Sequence, residues 1–178
     1  MEHKTDIDFY CEGVQRFHKT MMQPVKQQPT LPDKEVTDRR MNLIAEEALE
    51  LGEAMQHGSI SDIAKEAMDL LYVTFGTLVE LGLQHKAQQL FQAVQQSNMS
   101  KVSSLAQATS DALAYERDTG DAMDVLVCGG GTEEKQDFII VRVKDGKIMK
   151  PTTYKPADAA VEALLGVPMK LNKRNIVF

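Results

Sequence analysis

Apolar residues recur at three- and four-residue steps through most of the first hundred positions, a spacing that places them on one face of an α-helix. A proline-rich connector, residues 24–32, interrupts this pattern, because proline removes a backbone donor and cannot continue a helix. The turns between the later helices are short, which favours an antiparallel bundle. The predicted helices run up to Pro24 and over 34–56, 59–82 and 84–102.

The third of these helices is apolar nearly all round. A helix with this pattern cannot leave a face in water without exposing a large apolar patch. We therefore expect it to lie inside the bundle or at an interface between copies of the chain, in a homodimer or homotetramer. Ser59 and Asp62 have the spacing of a capping box and mark its start.

After position 102 the pattern changes to short β-branched runs. A segment of small and polar residues still predicts a peripheral helix, and the runs after it predict a β-meander whose last turn is Asp145-Gly146. We expect the peripheral helix within 103–121, the strands within 123–128, 137–144 and 147–150, and a terminal helix at 158–165.

The order of elements predicts an all-α fold, an antiparallel helical bundle with a small C-terminal β-meander. We expect the bundle to comprise residues 1–102 and the peripheral helix, meander and tail, residues 103–178, to pack on it. The glycine run at 129–131 is interpreted as a hairpin loop, because it lacks the Lys-Ser/Thr pair and the helix start of a phosphate-binding loop.

Composition limits the class of protein. The 178 residues, 43% of them hydrophobic, suit one main globular core. No apolar run approaches the roughly 20 residues that cross a bilayer, and the N-terminus has no signal-peptide pattern, so we expect a cytoplasmic protein. Cys11 and Cys128 lack neighbours at metal-binding spacing, which predicts neither a disulfide framework nor a zinc site.

Charge is distributed unevenly along the chain. The formal net charge of −6 disfavours binding to duplex nucleic acid, and nothing indicates a membrane partner. Residues 1–134 hold 11 Lys and Arg against 22 Asp and Glu, whereas residues 135–178 hold 9 against 4. A phosphate ester could approach the acidic part only through a metal ion, while the basic tail offers direct cations.

Carboxylates cluster on the second and third predicted helices. Residues three apart on a helix lie about 60° apart around its axis, so Glu47 and Glu50 can point into one site. Glu66 and Asp69 have the same spacing on the next helix. If the two helices are antiparallel neighbours, both pairs can converge across the seam between them.

Asp69 is the only charged residue between Ala67 and Val79. An unpaired carboxylate among apolar neighbours costs several kcal/mol, and we expect the nearby Lys65 to be solvated beside Glu66. A divalent cation is the simplest compensation, and oxygen ligands without His or Cys favour magnesium or manganese over zinc.

A solvated helix surface is the alternative interpretation for the first acidic pair, because Glu favours helices and Glu-rich faces are common. The second pair, Glu66 and Asp69, would not stabilise the first turns of an apolar helix. The two pairs together therefore favour metal binding.

The arrangement EExxE at 46–50 followed by ExxD at 66–69 resembles the all-α nucleoside triphosphate pyrophosphohydrolases, the MazG-like group. The resemblance extends to its phosphoribosyl-ATP pyrophosphohydrolase-like branch and covers about residues 7–102 and 145–165. The motifs that carry it are Arg40-x-x-Leu43-Ile44, EAMDLLY around Asp69, SNMSK at 97–101 and DGKIMKPTTYKPAD at 145–158.

The resemblance implies a MazG-like fold and a Mg²⁺ or Mn²⁺ cofactor. It implies that Glu47, Glu50, Glu66 and Asp69 are the metal ligands and that Glu46 binds a further ion or orients the attacking water. A carboxylate such as Glu46 or Glu50 would take the proton of that water.

Further residues are candidates for binding the substrate. Asn98 and Lys101 can grip phosphate oxygens from a helix end, although a lysine there also stabilises the helix dipole. Lys147 and Lys150 flank the last turn, where their ordinary use is to protect an edge strand, so their assignment to phosphate depends on the resemblance.

An aromatic ring near the end of the first helix can stack on a base. Phe17 and His18 are the candidates. The alternative is that Phe17 belongs to the core, because its helical spacing already places it on the apolar face of the helix. Arg40 either meets Glu46 or Glu47 or is a surface arginine.

The reaction we expect is metal-dependent hydrolysis of a nucleoside triphosphate to the monophosphate and pyrophosphate. One alternative is the related reaction on phosphoribosyl-ATP in histidine synthesis. Another is a catalytically silent metal-binding or interaction module, which is disfavoured because all four ligand positions are filled.

Overall fold

The fold is known from a computed structural model that describes residues 6–128 and 136–167. Every helix predicted from the apolar spacing is present, and a 3-10 turn, Gln84–Lys86, precedes the fourth. The expected all-α class with a small β appendage is therefore confirmed. The helices are α1 Asp6–Thr20, α2 Lys34–His57, α3 Ile60–Glu80, α4 Ala87–Met99, α5 Leu105–Thr119 and α6 Asp158–Leu165.

The chain divides into two compact units, residues 1–89 and residues 90–178, and the division falls within α4. The boundary predicted from the sequence, after residue 102, stays a prediction. Hydrogen bonds tie the end of α4 to the second unit: Ser97 Oγ lies 2.8 Å from the Tyr154 hydroxyl, and Lys155 N donates to Ser100 Oγ over 2.9 Å.

Helices α2 and α3 are joined by only Gly58 and Ser59, which makes them antiparallel neighbours. The predicted capping box is present, since Ser59 N donates to Asp62 Oδ2 over 2.7 Å and Asp62 N donates to Ser59 Oγ over 3.3 Å. Asp33 caps α2 in the same way by accepting from Val36 N at 2.9 Å. Local side chains therefore decide where both helices begin.

A buried carboxylate holds the first unit together. Glu80 on α3 has no solvent exposure and accepts hydrogen bonds from Arg39 and Arg40 on α2. His18 on α1 completes the group, with Nδ1 3.0 Å from the Pro24 carbonyl oxygen and Nε2 3.3 Å from Arg40 Nη2. We call these four side chains, Glu80, Arg39, Arg40 and His18, the Glu80 cluster.

Gly76 makes room for this cluster one turn before Glu80. A Cβ atom at position 76 would lie 2.9 Å from Arg40 Nη1 and 3.2 Å from His18 Nε2. The guanidinium therefore reaches Glu80 across the bare backbone of α3. Without this glycine the arginine, which is 8% exposed, would have to move outward.

The proline-rich connector runs along the C-terminal end of α3. Lys26 N donates to the Val79 carbonyl over 3.2 Å and Thr30 N to the Leu81 carbonyl over 2.9 Å, which satisfies acceptors that a helix end leaves open. Gly82 has φ +73°, and a Cβ there would lie 2.1 Å from the Gln28 carbonyl oxygen. Close approach and positive φ both require glycine at this position.

The second unit packs α5 against a three-stranded antiparallel sheet in which the strands lie next to one another in chain order. Its register pairs Met123 with Arg142 and Val141 with Ile148, as expected for the meander. The predicted Asp145-Gly146 turn is present, with Gly146 at φ +69°. The predicted loop at 129–131 lies outside the described residues. The strands are β1 Met123–Val127, β2 Phe138–Arg142 and β3 Lys147–Ile148, and the buried core is Ala108, Ala112, Met123 and Ile140.

Within the described part of the chain, no helix combines the length and apolar character needed to cross a membrane.

Replacing Glu80 by Gln should destabilise the protein by about 3–5 kcal/mol, because two guanidinium groups would face a neutral amide inside the first unit. Urea unfolding followed by circular dichroism measures the difference. The matched control is Glu53→Gln, an exposed position on α2 that should change stability by less than about 0.5 kcal/mol. Equal stability of Glu80→Gln and the parent would contradict a structural role for the cluster.

Candidate metal centre

Three carboxylates converge where α2 faces α3. One oxygen from each of Glu47, Glu66 and Asp69 lies within 4.8 Å of the others, and all three residues are partly buried. Glu47 comes from α2 and the other two from consecutive turns of α3, so the short α2–α3 connection brings the pairs opposite each other. We call Glu47, Glu66 and Asp69 the acidic triad.

Glu50 lies beside the triad, one turn beyond Glu47 on α2. Its pKa is raised above 4.5, first by partial loss of water and then by the negative charges of Glu66 and Glu47, with a hydrogen bond to Glu66 acting in the same direction. Lys65 opposes the shift. Glu50 therefore interacts electrostatically with the acidic triad although its side chain is exposed. We call the acidic triad together with Glu50 the acidic group.

Lys65 pairs with Asp69 as well as with Glu66, so the expectation of an unpartnered Asp69 is wrong. Its Nζ lies 2.9 Å from Asp69 Oδ2 and 3.0 Å from both carboxylate oxygens of Glu66. The Asp69 side chain is also 40% exposed rather than enclosed by apolar neighbours. Because Lys65 and Asp69 are four residues apart, they lie one above the other on the helix and their side chains meet.

The group of Glu47, Glu50, Glu66 and Asp69 fits a divalent cation. Four carboxylates face one ammonium, which leaves an excess of negative charge, and the charges of Glu66 and Glu47 add to desolvation in raising the pKa of Glu50. Every donor is a hard oxygen, the type that Mg²⁺ and Mn²⁺ prefer. The acidic triad could therefore hold a metal ion between α2 and α3.

The structure does not bring Glu46 into the triad. Glu46 is exposed on α2 and is not one of the three residues whose oxygens converge. Consecutive residues on a helix point about 100° apart, so Glu46 and Glu47 cannot present their carboxylates in the same direction.

Phe17 and His18 have different surroundings. Phe17 is 43% exposed and meets Tyr72 edge to face, with ring centroids 5.7 Å apart. Tyr72 follows Asp69 by three residues and is 41% exposed, so the aromatic pair lies one helical turn from the triad. His18 is only 4% exposed and contacts Pro24 and Arg40.

Arg40 fulfils neither interpretation proposed for it from the sequence. It is buried rather than on the surface, and its partner is Glu80 instead of Glu46 or Glu47. The reason is that Arg40 lies on the first turns of α2, which face the end of α3 where Glu80 is, two helical turns before Glu47.

The other candidate phosphate ligands belong to the second unit. Asn98 is exposed on α4 and Lys101 is half-buried just beyond its end. Lys147 and Lys150 are exposed, and Lys150 Nζ lies 4.5 Å above the centre of the Tyr154 ring. No carboxylate in the described part of the chain forms an ion pair with these three lysines.

Sequence reasoning missed Tyr72 and the pairing of Lys65. The signals were present: Lys65 has the four-residue offset from Asp69 that favours an ion pair, and Tyr72 follows Asp69 by one turn.

Residues 14–98 match the family described as phosphoribosyl-ATP pyrophosphohydrolase. That family belongs to the MazG-like superfamily. The match contains all four carboxylates and covers slightly less than half of the chain. The family supports a pyrophosphohydrolase, a hydrolase of phosphoric anhydrides, that acts on a nucleotide-like substrate. Comparison with curated proteins gave no match.

The raised pKa of Glu50 predicts a pH dependence of stability in the presence of a chelator. Well below pH 4.5 the carboxyl group of Glu50 is protonated in both the folded and the unfolded protein, so its contribution to the free energy of unfolding is at its largest and does not change with pH. Between 4.5 and the higher folded pKa the unfolded chain releases the proton first, so the free energy of unfolding falls as the pH rises. Urea unfolding should show this fall in the parent and a shallower one in Glu50→Gln.

Glu53→Gln is the control for that comparison, since Glu53 is exposed on the same helix one turn away. It should follow the parent's pH profile. A profile for Glu50→Gln identical to that of the parent would show that Glu50 does not experience the charges of the triad.

Proposed function

We propose that this protein hydrolyses a nucleoside triphosphate to the monophosphate and pyrophosphate with Mg²⁺ or Mn²⁺ as cofactor. The observation that carries the proposal is the convergence of three carboxylate oxygens within 4.8 Å inside a segment that matches a pyrophosphohydrolase family. An acidic group of this kind repels a triphosphate unless a cation lies between them.

The carboxylates of the acidic group divide between two roles in this proposal. Glu47, Glu66 and Asp69 would hold the ion, which when bound would neutralise phosphate charge and make a bound water more acidic. Glu50 is exposed and has a raised pKa, so it can accept the proton of the attacking water. Glu46, which the resemblance assigns to a further ion or to orienting the water, stays a prediction.

Aromatic side chains support binding of the base. Phe17 and Tyr72 expose ring surface one helical turn from Asp69, and a base can stack on such a surface. The contacts of His18 inside the Glu80 cluster favour a positioning role for it behind Phe17.

The basic side chains of the second unit, Lys101, Lys147 and Lys150, and the amide of Asn98 remain proposed phosphate ligands. Their support is the resemblance of the two motifs that contain them and the absence of competing carboxylates noted above. Charge-assisted bonds to phosphate oxygens are the contacts that lysines make most readily.

Phosphoribosyl-ATP is the second candidate substrate, because the matching family is described by its hydrolysis. A panel of ribo- and deoxyribonucleoside triphosphates and phosphoribosyl-ATP, with pyrophosphate detection, decides between them. We expect turnover of a nucleoside triphosphate that requires Mg²⁺ or Mn²⁺ and stops in excess chelator. Turnover of phosphoribosyl-ATP alone would select the alternative, and turnover of nothing would favour a silent binding module.

Glu50→Gln should lower kcat at least about 100-fold, the ordinary contribution of a general base. The same substitution at Glu53 should leave kcat unchanged, because Glu53 lies outside the acidic group. Full turnover by Glu50→Gln would contradict the role given to this residue.

A homodimer or homotetramer is proposed from the exposed face of α3. Met68, Leu71 and Tyr72 are 58%, 46% and 41% exposed and recur at helical spacing, so they form an apolar stripe on one face. A stripe of this kind on a soluble chain is typical of an interface.

Leu71→Glu should reduce the molar mass in solution to that of one chain, because it places a charge in the middle of this stripe. Size-exclusion chromatography with light scattering measures the mass. Leu31→Glu is the control, since Leu31 is 84% exposed in the connector and away from the stripe. A monomeric parent, or a Leu71→Glu variant with the parent's mass, would contradict the proposed interface.

A further inference from the structure

Lys65 occupies the carboxylate oxygens that a metal ion would need. Its ammonium lies 3.0 Å from Oε1 and Oε2 of Glu66 and 2.9 Å from Oδ2 of Asp69. Both oxygens of Glu66 are therefore engaged by the same cation. Of the acidic triad, only Glu47 is left without a bond to this lysine among the described contacts.

Lys65 is also the only cation that ion-pairs with the acidic group in the described part of the chain. The two nearest guanidinium groups on α2, those of Arg39 and Arg40, are engaged by Glu80. One positive charge thus offsets four carboxylates. The acidic group is held together by a counter-ion that belongs to the chain itself.

We propose that Lys65 is the resident counter-ion of the metal centre, a positioning residue that a divalent cation displaces from Glu66 and Asp69 as it binds. This inference rests on the proposed function, whose cofactor is that cation. An ammonium that bonds both oxygens of Glu66 and Oδ2 of Asp69 repels a divalent ion that binds the same carboxylates, so binding of the ion favours release of the lysine.

The position of the side chain permits the exchange. The Lys65 side chain is 62% exposed and approaches Glu66 and Asp69 from the solvent side of α3. It can swing into water without leaving a buried cavity, and the incoming ion then takes its place beside Glu66, whose side chain is only 15% exposed. Displacement therefore costs the ion pairs alone, and those pairs reduce the apparent affinity for metal.

The experiment measures Mn²⁺ binding to the full chain without substrate, by calorimetry and by the electron paramagnetic resonance of free Mn²⁺. We expect Lys65→Ala to bind Mn²⁺ about two- to fivefold more tightly than the parent, the range that partly exposed ion pairs give. Lys65→Arg, which keeps the charge, should remain within about a factor of two of the parent, and Lys65→Gln should resemble Lys65→Ala.

Lys34→Ala is the matched control. Lys34 also pairs with a carboxylate four residues later on an exposed helix face, Asp38 at 2.5 Å, so this variant removes the same charge and the same kind of ion pair on the first turns of α2. Its Mn²⁺ affinity should equal that of the parent. Glu47→Gln should lose most of the binding, which assigns the signal to the acidic triad.

Other results for the Mn²⁺ affinities of Lys65→Ala and the parent would contradict the proposal in different ways. Equal affinity of Lys65→Ala and the parent would overturn the counter-ion role and leave the proposed function intact. Weaker binding by Lys65→Ala would show that the lysine holds the ligands in place for the metal, which also overturns displacement. No Mn²⁺ binding by the parent or by Lys65→Ala would overturn both this inference and the proposed metal-dependent function.

Discussion

The carboxylate of Glu80 sets the main constraint on the first unit, because a charge with no solvent exposure must be neutralised inside the protein. Arg39 and Arg40 do this from the neighbouring helix, and their reach fixes the register of α2 against α3. Arg40 and Glu47 are seven residues apart, which is two helical turns, and Asp69 and Glu80 are eleven apart, which is three. Each helix therefore presents both sets of groups on one face, and the register that pairs Glu80 with arginine also brings the acidic triad together.

The contact between α2 and α3 has opposite electrostatic character at its two ends. At the Glu80 end, opposite charges attract in a buried setting, and breaking the pair costs far more than a surface ion pair would. At the other end four carboxylates repel one another, and among the residues that the structure describes only the exposed ammonium of Lys65 forms ion pairs with them. The attraction at one end lets the fold tolerate the repulsion at the other. The divalent ion of the proposed function would need this excess of negative charge, which is repulsive as long as no ion is bound.

Local spacing made much of this predictable from the sequence, and long-range pairing did not. The capping box at Ser59 and the three-residue offsets of the acids are properties of a single helix. The helix start therefore followed from α3 alone, and the convergence of Glu47 with Glu66 and Asp69 followed from α2 and α3 being neighbours. The pairing of Arg40 with Glu80 spans forty residues, and no local pattern distinguishes a buried glutamate from a surface one. Lys65 illustrates an intermediate case: its offset from Asp69 was visible, but whether it is solvated or paired depends on side-chain conformations that spacing does not specify.

The acidic triad by itself cannot choose the substrate. A nucleoside triphosphate and phosphoribosyl-ATP both present a phosphate chain, and carboxylates with a divalent ion interact with phosphate oxygens in the same way in either case. Discrimination must therefore come from side chains that contact the base or sugar. In the first unit Tyr72 follows Asp69 by three residues and its partly exposed ring contacts that of Phe17, and stacking on such rings is tolerant of base identity. Under the proposed function, a site built this way would select for the phosphate chain first, and any preference for one nucleotide would require additional polar contacts to its edges.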